Sequence, residues 1–207
     1  MTTYKKFGPP GTGKTTSLLA EVTDRLELGV SPLRIAYLAF TTKAASEARG
    51  RAVRLLGLSE SEQKEQLFYF RTLHSLCYQS LSIQDRKVIT EADYKKFGKR
   101  VNLNFDVSID EERRTKTNNP IISLLSLYRL KMSTLREEYN KTDFNYAWNE
   151  VDFIDRSYQE FKKTFRLIDY TDMLTEFESI MHLVLPKTFS LICIDESQDL
   201  SPLQWKI

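Results

Sequence analysis

Long apolar runs are missing from this chain of 207 residues. No stretch approaches the roughly 18 apolar residues that a membrane span needs, so no membrane partner is expected. The N-terminus runs Thr2-Thr3-Tyr4-Lys5-Lys6 and lacks the apolar core of a signal peptide. Cysteine is scarce. Cys77 and Cys193 are the two present, they make no metal-ligand spacing, and both read as small core residues in a reduced, cytoplasmic setting. Charge of one sign is lacking too. A net charge of +2 gives no global basic field, so any nucleic-acid contact must come from a local groove. Internal repeats and low-complexity tracts are absent. The length suits one large domain, or one domain with a sizeable insertion.

What the chain does have comes first in its order. Gly8-Pro9-Pro10-Gly11-Thr12-Gly13-Lys14-Thr15 fits G-x-x-x-x-G-K-S/T, the P-loop that holds nucleoside triphosphates. Tyr4 to Phe7 can serve as a short strand before it. Leu18, Leu19, Val22 and Leu26 follow at helical spacing within Thr16 to Leu26. Strand, glycine-rich turn and helix set backbone N–H groups and a helix N-terminus against the phosphates. Gly11 and Gly13 allow close approach or positive φ. Lys14 is expected to reach the β/γ-phosphates and the Thr15 hydroxyl to sit on Mg²⁺.

Further along, 34–40 reads as a buried strand, and a helix follows with Ala44, Ala45, Ala48, Ala52, Val53 and Leu56 on one face and Gly57 as its stop. Ser59 to Gln66 reads as a surface helix or loop, and Leu67 to Phe70 as a third strand leading into Arg71-Thr72-Leu73-His74-Ser75. This alternation argues for a parallel α/β sheet. From about Ser82 to Phe165 no strand is evident, so an all-helical insertion is expected. Thr90 opens one helix through a capping box with Asp93, and Pro120 sits as the first residue of another. Asp106 to Asn119 reads as a surface loop, and Asp143 as the cap of a third helix. A helix from Asp169 to about Leu185 then restores the α/β character, with Asp172 as readily a helix cap as a functional carboxylate. Phe189 to Ile194 forms an apolar strand ending in Asp195-Glu196-Ser197-Gln198-Asp199.

A carboxylate at such a strand end suits the Mg²⁺ role beside a P-loop. Its neighbour Glu196 can polarise an attacking water, for which a small-molecule kinase has no use. Asp199 is as readily a helix cap. Phe40, Thr41, Thr42 and Lys43 follow one strand, and Thr72, His74 and Ser75 another. Ligands of open α/β sheets collect at such ends, and hydroxyls, a lysine and an aromatic face suit a single strand of nucleic acid. Ordinary helix capping by Thr42 and Thr72 is the competing explanation.

Five stretches together resemble the N-terminal part of a superfamily 1 DNA helicase of the UvrD/Rep/PcrA type. GPPGTGKT at 8–15 resembles motif I and AFTTKAASEARGR at 39–51 motif Ia. FRTLHSLCY at 70–78 resembles the T-x-H-S motif, LIDYTDML at 167–174 the family's DFDDLL, and LICIDESQDLSPLQ at 191–204 motif II. The resemblance implies a RecA-like domain in two parts, 1–82 and 166–207, around a helical insertion at 83–165 like the family's 1B subdomain. It implies ATP held by Gly8, Pro9, Pro10, Gly11, Thr12, Gly13, Lys14, Thr15 and Thr16, with Thr15 and Asp195 on Mg²⁺. Lys14, Glu196 and Gln198 would be catalytic, Glu196 activating water and Gln198 linking the γ-phosphate to DNA. Phe40, Thr41, Thr42, Lys43, Thr72 and His74 would lie along single-stranded DNA, and the parent would translocate 3′→5′ and open single-strand/duplex junctions.

Three departures qualify this. Only seven residues precede Gly8, so the adenine-reading glutamine motif is missing. Thr16 stands where the family commonly has arginine. The chain stops after motif II, before the second RecA-like domain and its arginine finger, which a partner domain would supply. The expectation is a fragment or truncated product with little turnover of its own. Its compact start resembles phage-encoded members, which act in the host cytoplasm. A non-motor module that binds nucleotide or DNA to regulate a partner, and a helicase–nuclease subunit, share these motifs.

Overall fold

The computed structural model describes residues 3–9, 11–81, 83, 85–109, 115–117, 119–143 and 145–207. In chain order the elements are α1 (Lys14–Glu27), β1 (Ile35–Ala39), α2 (Thr42–Leu56), α3 (Glu60–Gln66), β2 (Phe70–Thr72), α4 (Leu73–Ser80), β3 (Lys87–Val88) and α5 (Glu91–Arg100). There follow β4 (Val107–Ile109), β5 (Thr115–Thr117), α6 (Pro120–Lys131), α7 (Leu135–Asn140), α8 (Trp148–Thr164), β6 (Leu167–Ile168), α9 (Tyr170–Val184), β7 (Leu191–Ile194) and α10 (Pro202–Lys206). Contacts divide these into two compact units, Met1–Leu76 with Leu185–Asp199 and Cys77–Val184 with Leu200–Ile207. Among the described residues no helix is long and apolar enough to cross a membrane.

The first unit is a parallel sheet in the order β2-β1-β7, flanked by helices. Ile35, Ala36, Tyr37 and Ala39 of β1 are buried, as a central strand paired on both sides requires. Its register sets Tyr37 opposite Phe70 on one side and Cys193 on the other. Leu19, Val22 and Leu26 of α1 and Ala45, Ala48 and Ala52 of α2 share one core cluster with Tyr37 and Cys193. The alanines let α2 lie close. Thr41 opens α2 by accepting the Ala44 N–H at 3.2 Å, a cap worth about 1 kcal/mol. Gly57 closes it at φ 64°, a conformation glycine takes without steric cost.

Two expectations shift here. Residues 3–9 form no strand, and Tyr4 and Phe7 are exposed. They are three apart, so in a strand they would point to opposite faces and could not share one buried side. The third strand begins at Phe70 rather than Leu67. The Leu67 N–H is still spent on the end of α3, donating to the Gln63 carbonyl at 3.2 Å.

The second unit is mainly helical, around Tyr94, Phe97, Phe105, Val151, Tyr158 and Phe161 among others. Its strands correct the expectation of an all-helical stretch after Ser82. β3 pairs with β6 in parallel and β4 with β5 antiparallel. The expected loop at Asp106 to Asn119 is thus partly a hairpin, while Asp110 to Arg114 and Asn118 lie outside the described residues. Each pairing is only two or three residues long, too short for a period-2 pattern to register. Thr90 and Asp93 form the expected capping box, and Pro120 opens α6 behind the cap Asn119. Asp143 does not cap α8. That helix begins at Trp148, with the Glu150 carboxylate accepting the Ala147 N–H at 2.7 Å.

Asp169 caps α9. Its Oδ1 accepts the Asp172 N–H at 2.7 Å, and Asp172 Oδ2 accepts the Asp169 N–H at 3.0 Å. Both carboxylates also take ion pairs. Arg129 of α6 bonds Asp169 at 2.9 Å and Asp172 at 2.6 Å, and Lys162 of α8 does so at 2.9 and 2.6 Å. The Tyr158 hydroxyl adds a bond to Asp169 at 3.1 Å. Burial alone would raise the Asp169 carboxyl, but Arg129 and Lys162 overcome it and hold the group below the usual carboxylate range.

Candidate functional site

The carboxyl ends of β1, β2 and β7 bring the sequence-flagged residues of the first unit to one edge. Gly8 to Lys14 lead into α1, except that Pro10 lies outside the described residues. A Cβ at position 8 would come 2.5 Å from the Thr12 Oγ1 and force that side chain to turn away. Gly13 is required by backbone, with φ at 79° as the N-cap of α1. No side chain caps this helix and no acidic residue lies in its first turn. Its leading N–H groups therefore face outward with the positive end of the helix dipole, a ready anion site. The Lys14 ammonium lies over the same loop, donating to the Gly8 carbonyl at 2.6 Å and the Pro9 carbonyl at 3.2 Å. Thr12 donates to the Pro9 carbonyl at 2.8 Å. Thr16 is exposed on α1.

Asp195 follows β7, and its N–H continues the ladder to the Leu38 carbonyl at 2.9 Å. It is 4% exposed. Its carboxylate accepts the Thr15 hydroxyl at 3.0 Å, the Tyr37 hydroxyl at 3.3 Å and the Glu196 N–H at 3.1 Å. No cation pairs with it among the described residues. A buried carboxylate bonded only by neutral donors is costly by itself, and a hydroxyl beside one carboxylate is a donor set that suits Mg²⁺, which takes few protein ligands. Thr15 and Asp195 therefore fit such an ion.

Glu196 has φ at 52°, a left-handed backbone that costs a residue with a side chain roughly 1–2 kcal/mol. The 3₁₀ turn Ser197–Asp199 begins directly after it. Gln198 donates its amide to the Glu196 carboxylate, and the Asp199 N–H closes the turn on the Glu196 carbonyl at 3.0 Å. Asp199 thus acts through its backbone.

The other strand-end residues divide. Ala39 and Thr72 are in register across β1 and β2. Thr41, not Thr42, caps α2, because Thr42 is already helical. Thr72 accepts the Ser75 N–H at 3.3 Å at the start of α4. Both hydroxyls therefore serve as local caps. Thr42 and Lys43 are exposed, while Phe40 and His74 are half-buried and engaged within the chain. Burial pushes the Cys77 and Cys193 thiols up to about 12, which leaves them unreactive near neutral pH.

Sequence reasoning missed Tyr37. It sits mid-run in an apolar strand, where a tyrosine looks like any other core residue, and only the pairing of β1 with β7 sets its hydroxyl beside Asp195.

Comparison with known proteins agrees with these motifs. The model of the UvrD/REP helicase N-terminal domain matches residues 7–207. The putative ATP-dependent DNA helicase YjcD of Bacillus subtilis is 26% identical over 220 residues, which cover 95% of this chain and 27% of that protein. The ATP-dependent DNA helicase PcrA of Staphylococcus epidermidis is 24% identical over 208 residues, covering 95% and 28%. The chain thus spans little more than a quarter of the length of these relatives.

Proposed function

Because the chain belongs to the UvrD/REP helicase N-terminal domain family, we propose that it is the ATP-binding front half of an ATP-dependent DNA helicase. In this reading a RecA-like domain made of 1–82 and 166–207 carries a 1B-like insertion at 83–165. The parent moves 3′→5′ on single-stranded DNA toward duplex junctions. The observation that carries the reading is the meeting of Thr15 and Asp195 at 3.0 Å across 180 residues of sequence, beside a glycine-rich helix N-terminus.

In this mechanism the N–H groups of Gly11 to Thr16 and the Lys14 ammonium bind the triphosphate. Thr15 and Asp195 would hold Mg²⁺, which would supply positive charge to offset that of the phosphates. Glu196 orients and takes a proton from the attacking water, and Gln198, bonded to that carboxylate, links the γ-phosphate site to the DNA site. Phe40, Thr41, Thr42, Lys43, Thr72 and His74 form the DNA track, Lys43 on phosphates and Phe40 against a base. A second RecA-like domain supplies the remaining charge, for which an arginine finger contributes roughly 10³–10⁵ in rate in related enzymes.

ATP binding and turnover, each with and without single-stranded DNA, test this. Lys14→Ala is expected to abolish nucleotide binding. Glu196→Gln in the longer parent is expected to bind ATP but lose hydrolysis. Equal nucleotide affinity in the parent chain and Lys14→Ala would contradict the assignment.

A further inference from the structure

Beside the Thr15–Asp195 pair lies a group that the proposed chemistry does not use. Tyr37 is fully buried in the middle of β1. Its Cα lies opposite Cys193, and in parallel neighbours the side chains at paired positions share a face. Asp195 is two residues beyond Cys193, a rise of about 6.6 Å along a strand. The length of a phenol spans that distance, so the Tyr37 hydroxyl reaches Asp195 Oδ2 at 3.3 Å. A phenylalanine would fill the same apolar cluster of Leu19, Ala45 and Phe70 without burying a hydroxyl. Among the described residues, the partner shown for that oxygen is the Asp195 carboxylate.

We infer that Tyr37 is a positioning residue for the metal-holding carboxylate, orienting Asp195 for Mg²⁺ bound with the nucleotide. Asp195 Oδ1 accepts the Glu196 N–H at 3.1 Å and Oδ2 the Tyr37 hydroxyl at 3.3 Å, while the Thr15 hydroxyl lies against both oxygens, at 3.3 and 3.0 Å. The Tyr37 bond ties a carboxylate that follows β7 to the neighbouring strand β1 and restrains its rotation beside Thr15, where the ion is expected. Burial, and then the Asp195 charge, push the phenol's ionisation well above its ordinary range.

The inference rests on the nucleotide-site reading, and its test separates the two. Affinity of the full chain for ATP is measured in EDTA and across an Mg²⁺ titration, for the parent and for Tyr37→Phe. The expected result is unchanged affinity in EDTA, with the gain on adding Mg²⁺ reduced about fivefold, the scale of one hydrogen bond to a charged group whose net value is partial. Loss of core packing would instead move both affinities together and lower the thermal midpoint. In an Asp195→Asn background, Tyr37→Phe is expected to change nothing further. An Mg²⁺ gain identical in parent and Tyr37→Phe, or an equal Tyr37→Phe effect with Asp195→Asn present, overturns the positioning role. Absence of Lys14-dependent ATP binding in the parent overturns the nucleotide-site reading and this inference with it.

Discussion

Asp169 and Asp195 occupy similar places and have opposite circumstances. Each follows the last residue of a parallel strand, β6 or β7, and each is nearly sealed from solvent, at 3% and 4% exposure. Asp169 meets Arg129 and Lys162. Among the described residues Asp195 meets only two hydroxyls and an amide, and no cation. The first carboxylate is neutralised by its own chain, so its charge is part of the fold. The second has hydrogen bonds but no counter-charge, and that deficit is what a divalent cation would fill. Burial of an acid therefore says little about its role until the charge of its partners is known.

The comparison breaks most sharply at the ion network. Asp169→Ala leaves Arg129 and Lys162 buried with one acid between them, and removing one partner of a buried pair costs roughly 3–5 kcal/mol. Urea unfolding monitored in the second unit is expected to report that loss. The pH dependence follows from the same contact. The folded carboxyl titrates below its unfolded value of about 3.9, so the stabilisation is complete above that value and is lost as pH falls through the folded one. Midpoints measured from pH 7 down to pH 2 are expected to fall in the parent and to flatten in Asp169→Asn.

Asp195→Asn is expected to act in the opposite sense. It removes a charge with no cationic partner among the described residues, so the thermal midpoint of the first unit should hold or rise, while the Mg²⁺-dependent part of ATP affinity falls by about tenfold or more, the effect of losing a charged ligand. A destabilisation as large as that of Asp169→Ala would erase the distinction between the two acids. The smallest expected change is at Glu196. Glycine accepts φ near 52° without strain, so Glu196→Gly should stabilise the chain by about 1 kcal/mol in chemical denaturation while removing the proposed water-orienting carboxylate.

Much of the first unit is legible in the sequence because its signals are local. The glycine-lysine-threonine turn, the alanine face of α2 and the apolar run ending in two acids each lie within one window. The legible part fails where a signal is long-range. Arg129 lies 40 residues from Asp169, in a helix whose pattern explains it as a polar residue of an ordinary face, and Lys162, though only 7 residues away, lies in a different helix from the one Asp169 caps. Tyr37 is hidden for the same reason. Its partner lies 158 residues away, and periodicity carries no record of which strand will lie beside it. β3 and β6 are two residues each, and such short pairings are decided by the helices that deliver them rather than by their own composition.

The pairing of β1 with β7 has a consequence for how the chain comes off the ribosome. Strands β1 and β2 and helices α1 and α2 are synthesised early, yet the partner that completes the sheet on the other side of β1 arrives only with Leu191–Ile194. Until then β1 has one neighbour, and an unpaired strand edge is a template for wrong association. Most of the second unit, Cys77–Val184, is made in that interval, while its last part, Leu200–Ile207, follows β7. Sheet closure across so long a loop is the slow event, and the apolar β1 is the segment that waits for it.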